Sequence, residues 1–178
     1  MNKILKNALL PAMVLAISSG AYAAGEHGGH HGGGSVGEPG KAENVSRTID
    51  VTMMDNYYEP ESISVKPGET IRFRVKNEGA LVHEFNIGTA DMHDAHQKEM
   101  QMMVEHGVIQ GGKLNRDMME MDMGNGHSMK HDDPNSVLLE PGESQELVWK
   151  FTDQGNIEFA CNVPGHYQAG MYGEVNLK

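Results

Sequence analysis

Residues 161–171 read CNVPGHYQAGM, and they set a thiol, an imidazole and a thioether at even intervals: Cys161, then His166, then Met171, with four residues in each gap. Cys161 is the only cysteine of the chain. A thiolate and two imidazoles in a trigonal arrangement, completed by a weak axial thioether, suit copper, because Cu(I) favours soft sulfur and Cu(II) accepts imidazole nitrogen. The stretch holds one imidazole, so a second histidine must come from elsewhere in the chain.

His83 is the best candidate for it. Side chains two apart on a strand share a face, and that face should be apolar where it is buried. Leu81, His83, Phe85 and Ile87 share one parity, while Glu84 and Asn86 point the other way. Cys161 follows Ile157 and Phe159 on one parity, and Met171 shares its parity with Val175 and Leu177. His166 follows Pro164-Gly165, a turn signal that breaks the strand, so it is expected on a loop at one end of the fold. Each residue alone has a plain reading: a buried inert cysteine, a satisfied core histidine, a methionine that fills space. Spacing, inward parity and turn agree only if the residues act together, which is why they are read as one site.

At these residues the chain resembles the cupredoxin family, small blue-copper proteins that include plastocyanins, azurins, and rusticyanin-like and auracyanin-like proteins. The four-residue gaps on either side of the loop histidine are most similar to the last two. The resemblance covers roughly residues 47–89 and 136–178, including residues 57–77, YYEPESISVKPGETIRFRVKN, similar to the family's early hairpin. It implies a Greek-key β-sandwich in which His83, Cys161 and His166 are equatorial copper ligands and Met171 is axial. Many family members carry Asn directly after the first ligand histidine, whereas this chain has Glu84. Groups around the ligands tune a metal site, so the reduction potential does not carry over with the resemblance.

The strand pattern agrees with an all-β sandwich. Thr48 to Met53, Ser62 to Val65, Thr70 to Asn77 and Leu81 to Ile87 alternate, punctuated by Pro60, Pro67-Gly68 and Gly79. A second set runs over Val137 to Leu139, Gln145 to Phe151, Asn156 to Cys161 and Tyr172 to Leu177. Many short strands with regular turns favour a sandwich. Trp149 is assigned to the core.

At 178 residues the chain is one domain with appendages. Lys3 and Lys6, an apolar run from about Ala8 to Ile17, and Ala21-Tyr22-Ala23 read as a secretory signal peptide over residues 1–23. The run is shorter than the ~20 residues that span a bilayer, so the expectation is a periplasmic, monomeric protein with no membrane insertion after cleavage. Cleavage takes away two lysines and no acid, moving the formal charge from −11 to −13. That argues against nucleic acid, whose phosphates require clustered Lys and Arg. An odd thiol in an oxidising compartment calls for an explanation, and copper supplies one.

Residues 24–46 form a glycine- and histidine-rich tail that precedes the domain at 47–178. From Gly25 to about Gly40 it is too poor in apolar residues to pack and is read as disordered. His27, His30 and His31 either bind a metal ion loosely or are solvated side chains of a polar tail; the sequence leaves both readings open.

Residues 90–135 interrupt the strand pattern. They contain Met92, Met100, Met102, Met103, Met118, Met119, Met121, Met123 and Met129, nine of the chain's 14 methionines, with His93, His96, His106, His127 and His131. Asp91 to about His106 predicts a helix stopped by Gly107. Its methionines are read as packing, as Met100 and Met103 at i, i+3 allow. The second half, with Gly111-Gly112, Gly124, Gly126 and Pro134, is expected to be irregular. Met118 to His131 has few other apolar residues with which to build a core, so accessory Cu(I) binding through thioethers is the preferred reading there.

Two functions compete. One is a soluble carrier that exchanges electrons with a periplasmic redox partner near His166. The other is copper tolerance, which the Met/His insertion and tail favour, as does the similarity to periplasmic copper-tolerance cupredoxins with His/Met-rich additions. Enzymatic readings are weaker. A multicopper oxidase needs paired His-x-His ligands, which this sequence lacks, and a binuclear purple copper centre needs two cysteines.

Overall fold

The computed structural model describes residues 36–121, 129–151 and 155–178. The expected signal segment and the histidines His27, His30, His31 and His127 lie outside them. The first half of the chain forms β1 (Gly37–Pro39), β2 (Arg47–Met54), β3 (Tyr57–Glu59), β4 (Ser62–Val65), β5 (Thr70–Asn77) and β6 (His83–Gly88). The insertion carries α1 (Ala90–Glu105), β7 (Ile109–Gln110), β8 (Lys113–Leu114) and the short α2 (Arg116–Met119). The second half supplies β9 (Ser136–Leu139), β10 (Ser144–Phe151), β11 (Ile157–Ala160) and β12 (Tyr172–Leu177).

Two five-stranded sheets make the sandwich, in the orders β1-β10-β5-β2-β3 and β4-β12-β11-β6-β9. Pairs β2–β5 and β4–β12 are parallel, and the others are antiparallel. Alternation in β5 buries Ile71, Phe73 and Val75 and turns Arg72, Arg74 and Lys76 outward, as a half-buried strand requires. Phe73 meets Phe85 of the opposite sheet at 5.2 Å between ring centroids, and Tyr58 meets Phe159 edge-on at 5.1 Å. Such tilted and edge-on pairs bind the two layers beyond their area burial.

Three expectations need correction. The composition of the tail predicts no packing up to Gly40, yet Gly37–Pro39 pairs with β10, with Glu38 opposite Lys150. Glycine is required there: Gly37 has φ 138°, and a Cβ would lie 2.2 Å from the Lys150 carbonyl oxygen and 2.6 Å from Trp149 Nε1. The indole N–H of buried Trp149 donates to the Val36 carbonyl at 3.3 Å. The folded part therefore begins at least eleven residues earlier than 47, because an edge strand needs a backbone partner more than it needs apolar side chains.

The second correction is that Leu81 is exposed and precedes the strand, which opens at His83. All six residues of β6 are buried, including Glu84 and Asn86. Parity had placed these two on the outer face correctly, but the insertion covers that face. Third, the expected irregular half of the insertion contains the β7–β8 hairpin, turning through Gly111 at φ 61°, and α2 capped by the Asn115 side chain. The helix expectation stands: Thr89 caps α1 by accepting from Met92 N, and Gly107 at φ 74° follows its end. Met100 and Met103 are buried, as packing predicted.

Candidate metal centre

Strand register brings the four sequence-predicted residues to one end of the second sheet. His83 opens β6, Cys161 directly follows β11, and Met171 directly precedes β12. Because β11 lies between β6 and β12, with Ala160 opposite both Asn86 and Tyr172, the three ends adjoin. The intervening loop is closed by Cys161 N donating to Met171 O at 3.1 Å, Met171 N to His166 O at 3.0 Å and His166 N to Val163 O at 3.0 Å. Gly165 and Gly170 at φ 89° and 97° provide the tight turns on either side of His166.

Within this frame His83 Nδ1 stands 3.9 Å and His166 Nδ1 3.3 Å from Cys161 Sγ. The two imidazoles face each other at 4.9 Å between centroids. His83, Cys161 and Met171 are buried; His166 is half-buried, on the loop as expected. One thiol and two imidazole nitrogens, convergent and shielded, are the donor set copper takes, with the Met171 thioether at the closing end of the same loop.

Burial acts in opposite senses on the thiol and on the two imidazoles: it disfavours the ligating form of the first and favours that of the others. Burial pushes the Cys161 thiol up to about 12, opposed by the Glu84 N–H, which donates to Sγ at 3.3 Å. Burial pushes both His83 and His166 down, which favours neutral imidazole, the ligating form. His83 Nε2 donates to Asp55 Oδ1 at 2.8 Å, and the same oxygen accepts from Ala80 N at 3.0 Å. The bond to His83 holds the Asp55 carboxyl below its usual range. Gly79 makes the approach feasible, since a Cβ there would lie 2.4 Å from Asp55 Oδ1 and 2.8 Å from His83 Nε2.

Asp55 had no signal in the sequence, because it sits in the β2–β3 turn, 28 residues from His83. Glu84 did have one, as the residue standing where many family members carry Asn. Its buried carboxylate accepts from Asn162 N at 3.1 Å and Asn162 Nδ2 at 2.8 Å, joining β6 to the loop that follows β11. The other oxygen faces His96 and His131 of the insertion. His93 is buried against Asn162, its Nδ1 3.1 Å from Nδ2, whereas His106 is exposed. Met118, Met119 and Met129 are half-buried against the core and Met121 is exposed; Met123 and His127 lie outside the described residues.

The family model for copper-binding proteins of the plastocyanin/azurin family matches residues 44–178. A copper-resistant cuproprotein, CopI, of Pseudomonas aeruginosa is 48% identical over 176 residues, covering 96% of this chain and 97% of that one. A protein of the same name from Rubrivivax gelatinosus is 37% identical over 186 residues, covering 99% of both. Among solved structures, auracyanin B aligns over 80% of this chain and 96% of its own, with a TM-score of 0.56 and 21% identity. Dithionite-reduced auracyanin from Roseiflexus castenholzii gives 0.50 and 22% over 75% of this chain and 98% of that one. The auracyanin likeness bears on the fold alone, and it agrees with the two facing sheets. Family model, relatives and a convergent thiol–imidazole donor set agree: the chain belongs to the plastocyanin/azurin family of copper-binding proteins, the cupredoxins.

Proposed function

We propose that this chain is an exported, periplasmic copper protein that contributes to copper tolerance by sequestration or copper redox chemistry. Its copper is held by His83, Cys161 and His166, with Met171 as axial donor. The observation that carries the reading is the convergence of His83 Nδ1 and His166 Nδ1 on the buried Cys161 thiol, at 3.9 and 3.3 Å. The names of the Pseudomonas and Rubrivivax relatives, both copper-resistant cuproproteins, support tolerance as the role. Lys3, Lys6, the apolar run and Ala21-Tyr22-Ala23 support export.

Copper held there supplies a one-electron couple between Cu(I) and Cu(II). The protein fixes the donors in a packed interior, excludes water from the thiol, and surrenders the Cys161 proton when metal binds. Half-buried His166 leaves a short path from the centre to the surface. That observation favours a second reading, electron exchange with a periplasmic redox protein, and tolerance by redox chemistry would use the same path. We assign no catalytic turnover; steady conversion of a small substrate by the protein with one copper bound would refute this.

The test is Cys161→Ser. The Cu(II) form of the variant should lose the strong visible thiolate-to-copper absorption, and cells carrying it should grow no better on copper than cells lacking the protein. Retention of the band would sink the ligand assignment, and full growth would sink the tolerance role of this site. An anaerobic Cu(I) titration against a competing chelator separates the two roles. One equivalent favours the carrier; two or more favour copper handling through the Met/His insertion.

A further inference from the structure

Outside the cysteine site, the described residues contain a second convergence of metal-binding side chains, built from β6, α1 and the segment leading into β9. Glu84, His96 and His131 each direct a ligand atom to one point, and these atoms lie within 4.8 Å of one another. His96 Nε2 is 2.9 Å and His131 Nε2 2.7 Å from the same oxygen, Glu84 Oε1. Ser136 Oγ, at 2.7 Å, and Asn86 Nδ2, at 3.2 Å, donate to that oxygen as well. Four donors thus address one carboxylate oxygen, about twice its complement of lone pairs. A cation bound between the two imidazoles and the carboxylate relieves this crowding, since the ring nitrogens then give their lone pairs to the metal and cease to be donors.

Two further features are those of a metal site. The outer nitrogen of His96, Nδ1, is 3.1 Å from Glu99 Oε2, the carboxylate–histidine arrangement that orients ligand imidazoles. The second Glu84 oxygen is held by Asn162, so the carboxylate cannot rotate freely. The cluster also has an entrance. A cavity of about 280 Å³ is lined by His96 and His131, by the carboxylates of Glu99 and Asp133, by three methionines of the insertion, and by Lys130, whose ammonium is 3.7 Å from Asp132. Carboxylate and thioether groups at its wall suit passage of a cation, including a soft one.

We propose that Glu84, His96 and His131 form a second metal site, separate from the cysteine site, whose occupant is Cu(II). Two imidazoles and a carboxylate are borderline N/O donors, for which Cu(II) binds most strongly among first-row divalent ions. No thiolate belongs to this site, so copper there is nearly colourless beside a thiolate-bound copper. The proposal goes beyond the tolerance reading and is tested independently of it.

The experiment is a Cu(II) titration of the full mature chain, with bound copper counted after dialysis and followed by absorption and electron paramagnetic resonance. The same titration is done on His96→Gln/His131→Gln. The wild type should bind one more equivalent than the double variant, with an added paramagnetic signal that brings no strong visible band. The double variant should keep the full thiolate band, which also reports that it is folded. Equal copper counts and equal signals in the two folded proteins would overturn the proposal. If the double variant loses the band through misfolding, His96→Gln alone serves, since its amide still donates to Glu84; an unchanged count there is equally fatal. Failure of the cysteine-site reading looks different: the band is then absent from the wild type, whatever the difference in copper count.

Discussion

Asp55 stands behind the proposed ligand His83. A carboxylate hydrogen-bonded to the far nitrogen of a ligand imidazole fixes the ring and its tautomer, and removing such a partner typically costs 10- to 100-fold in metal affinity. Asp55→Asn keeps the size but gives up the charge that faces His83 Nε2 at 2.8 Å. Copper affinity of the variant, measured by chelator competition, should fall by roughly 10-fold or more with the thiolate band still present. Unchanged affinity would mean that packing alone holds His83. At this scale the proposed ligands Cys161, His166 and Met171 stand out in the sequence because one loop carries all three, and His83 because strand parity points it inward. Asp55 does not, because a turn residue joins the site only through folding of distant segments. His96 has no assigned role in the sequence beyond its place in the Met/His-rich insertion, because helix periodicity cannot reveal a buried carboxylate from another strand.

Among the elements, Glu69 anchors the start of β5 to its neighbours. It accepts from Arg47 Nε at 2.9 Å on β2, from Ser46 Oγ at 2.8 Å and from Lys66 N at 2.9 Å. The Arg47 guanidinium, aided by the other two donors against the opposing effect of burial, lowers its carboxyl to about 2. A carboxylate with a depressed pKa stabilises the fold above its ordinary value, 4.5, and loses that contribution as pH falls toward about 2. Glu69→Gln should therefore destabilise the protein at pH 7 by roughly 1 kcal/mol, a modest figure because Arg47 is partly solvated and water screens the pair. Denaturant midpoints of variant and wild type should converge as the pH is lowered through that window; a gap that stays constant would place the effect in shape, not charge. Element boundaries of β4, β5 and β12 matched their alternating patterns to the residue. The two-residue strands β7 and β8 did not announce themselves, since so short a hairpin has no period to read.

On the scale of the whole molecule, the insertion is a second layer over one sheet. It turns β6 from a half-exposed strand into one buried on both faces, and so permits the Glu84 carboxylate to sit buried against Asn162, the residue that follows Cys161. A sandwich pattern predicts two faces per sheet but cannot say which outer face another segment will cover. The opposite sheet is closed at its edge by β1, where charged residues such as Glu38 and Lys150 pair at 2.7 Å. The indole of Trp149, donating to Val36, is the only tryptophan in the chain and lies under that edge. It makes the domain its own optical gauge of whether the N-terminal segment is seated. In the metal-free protein, truncation before Gly40 should shift the emission to longer wavelength and open the ring to quenching by acrylamide, while added copper still develops its colour. An unaltered spectrum would mean that the ring is sheltered without the strand. The light emitted by one buried side chain would thus distinguish loss of the arm from loss of the copper fold.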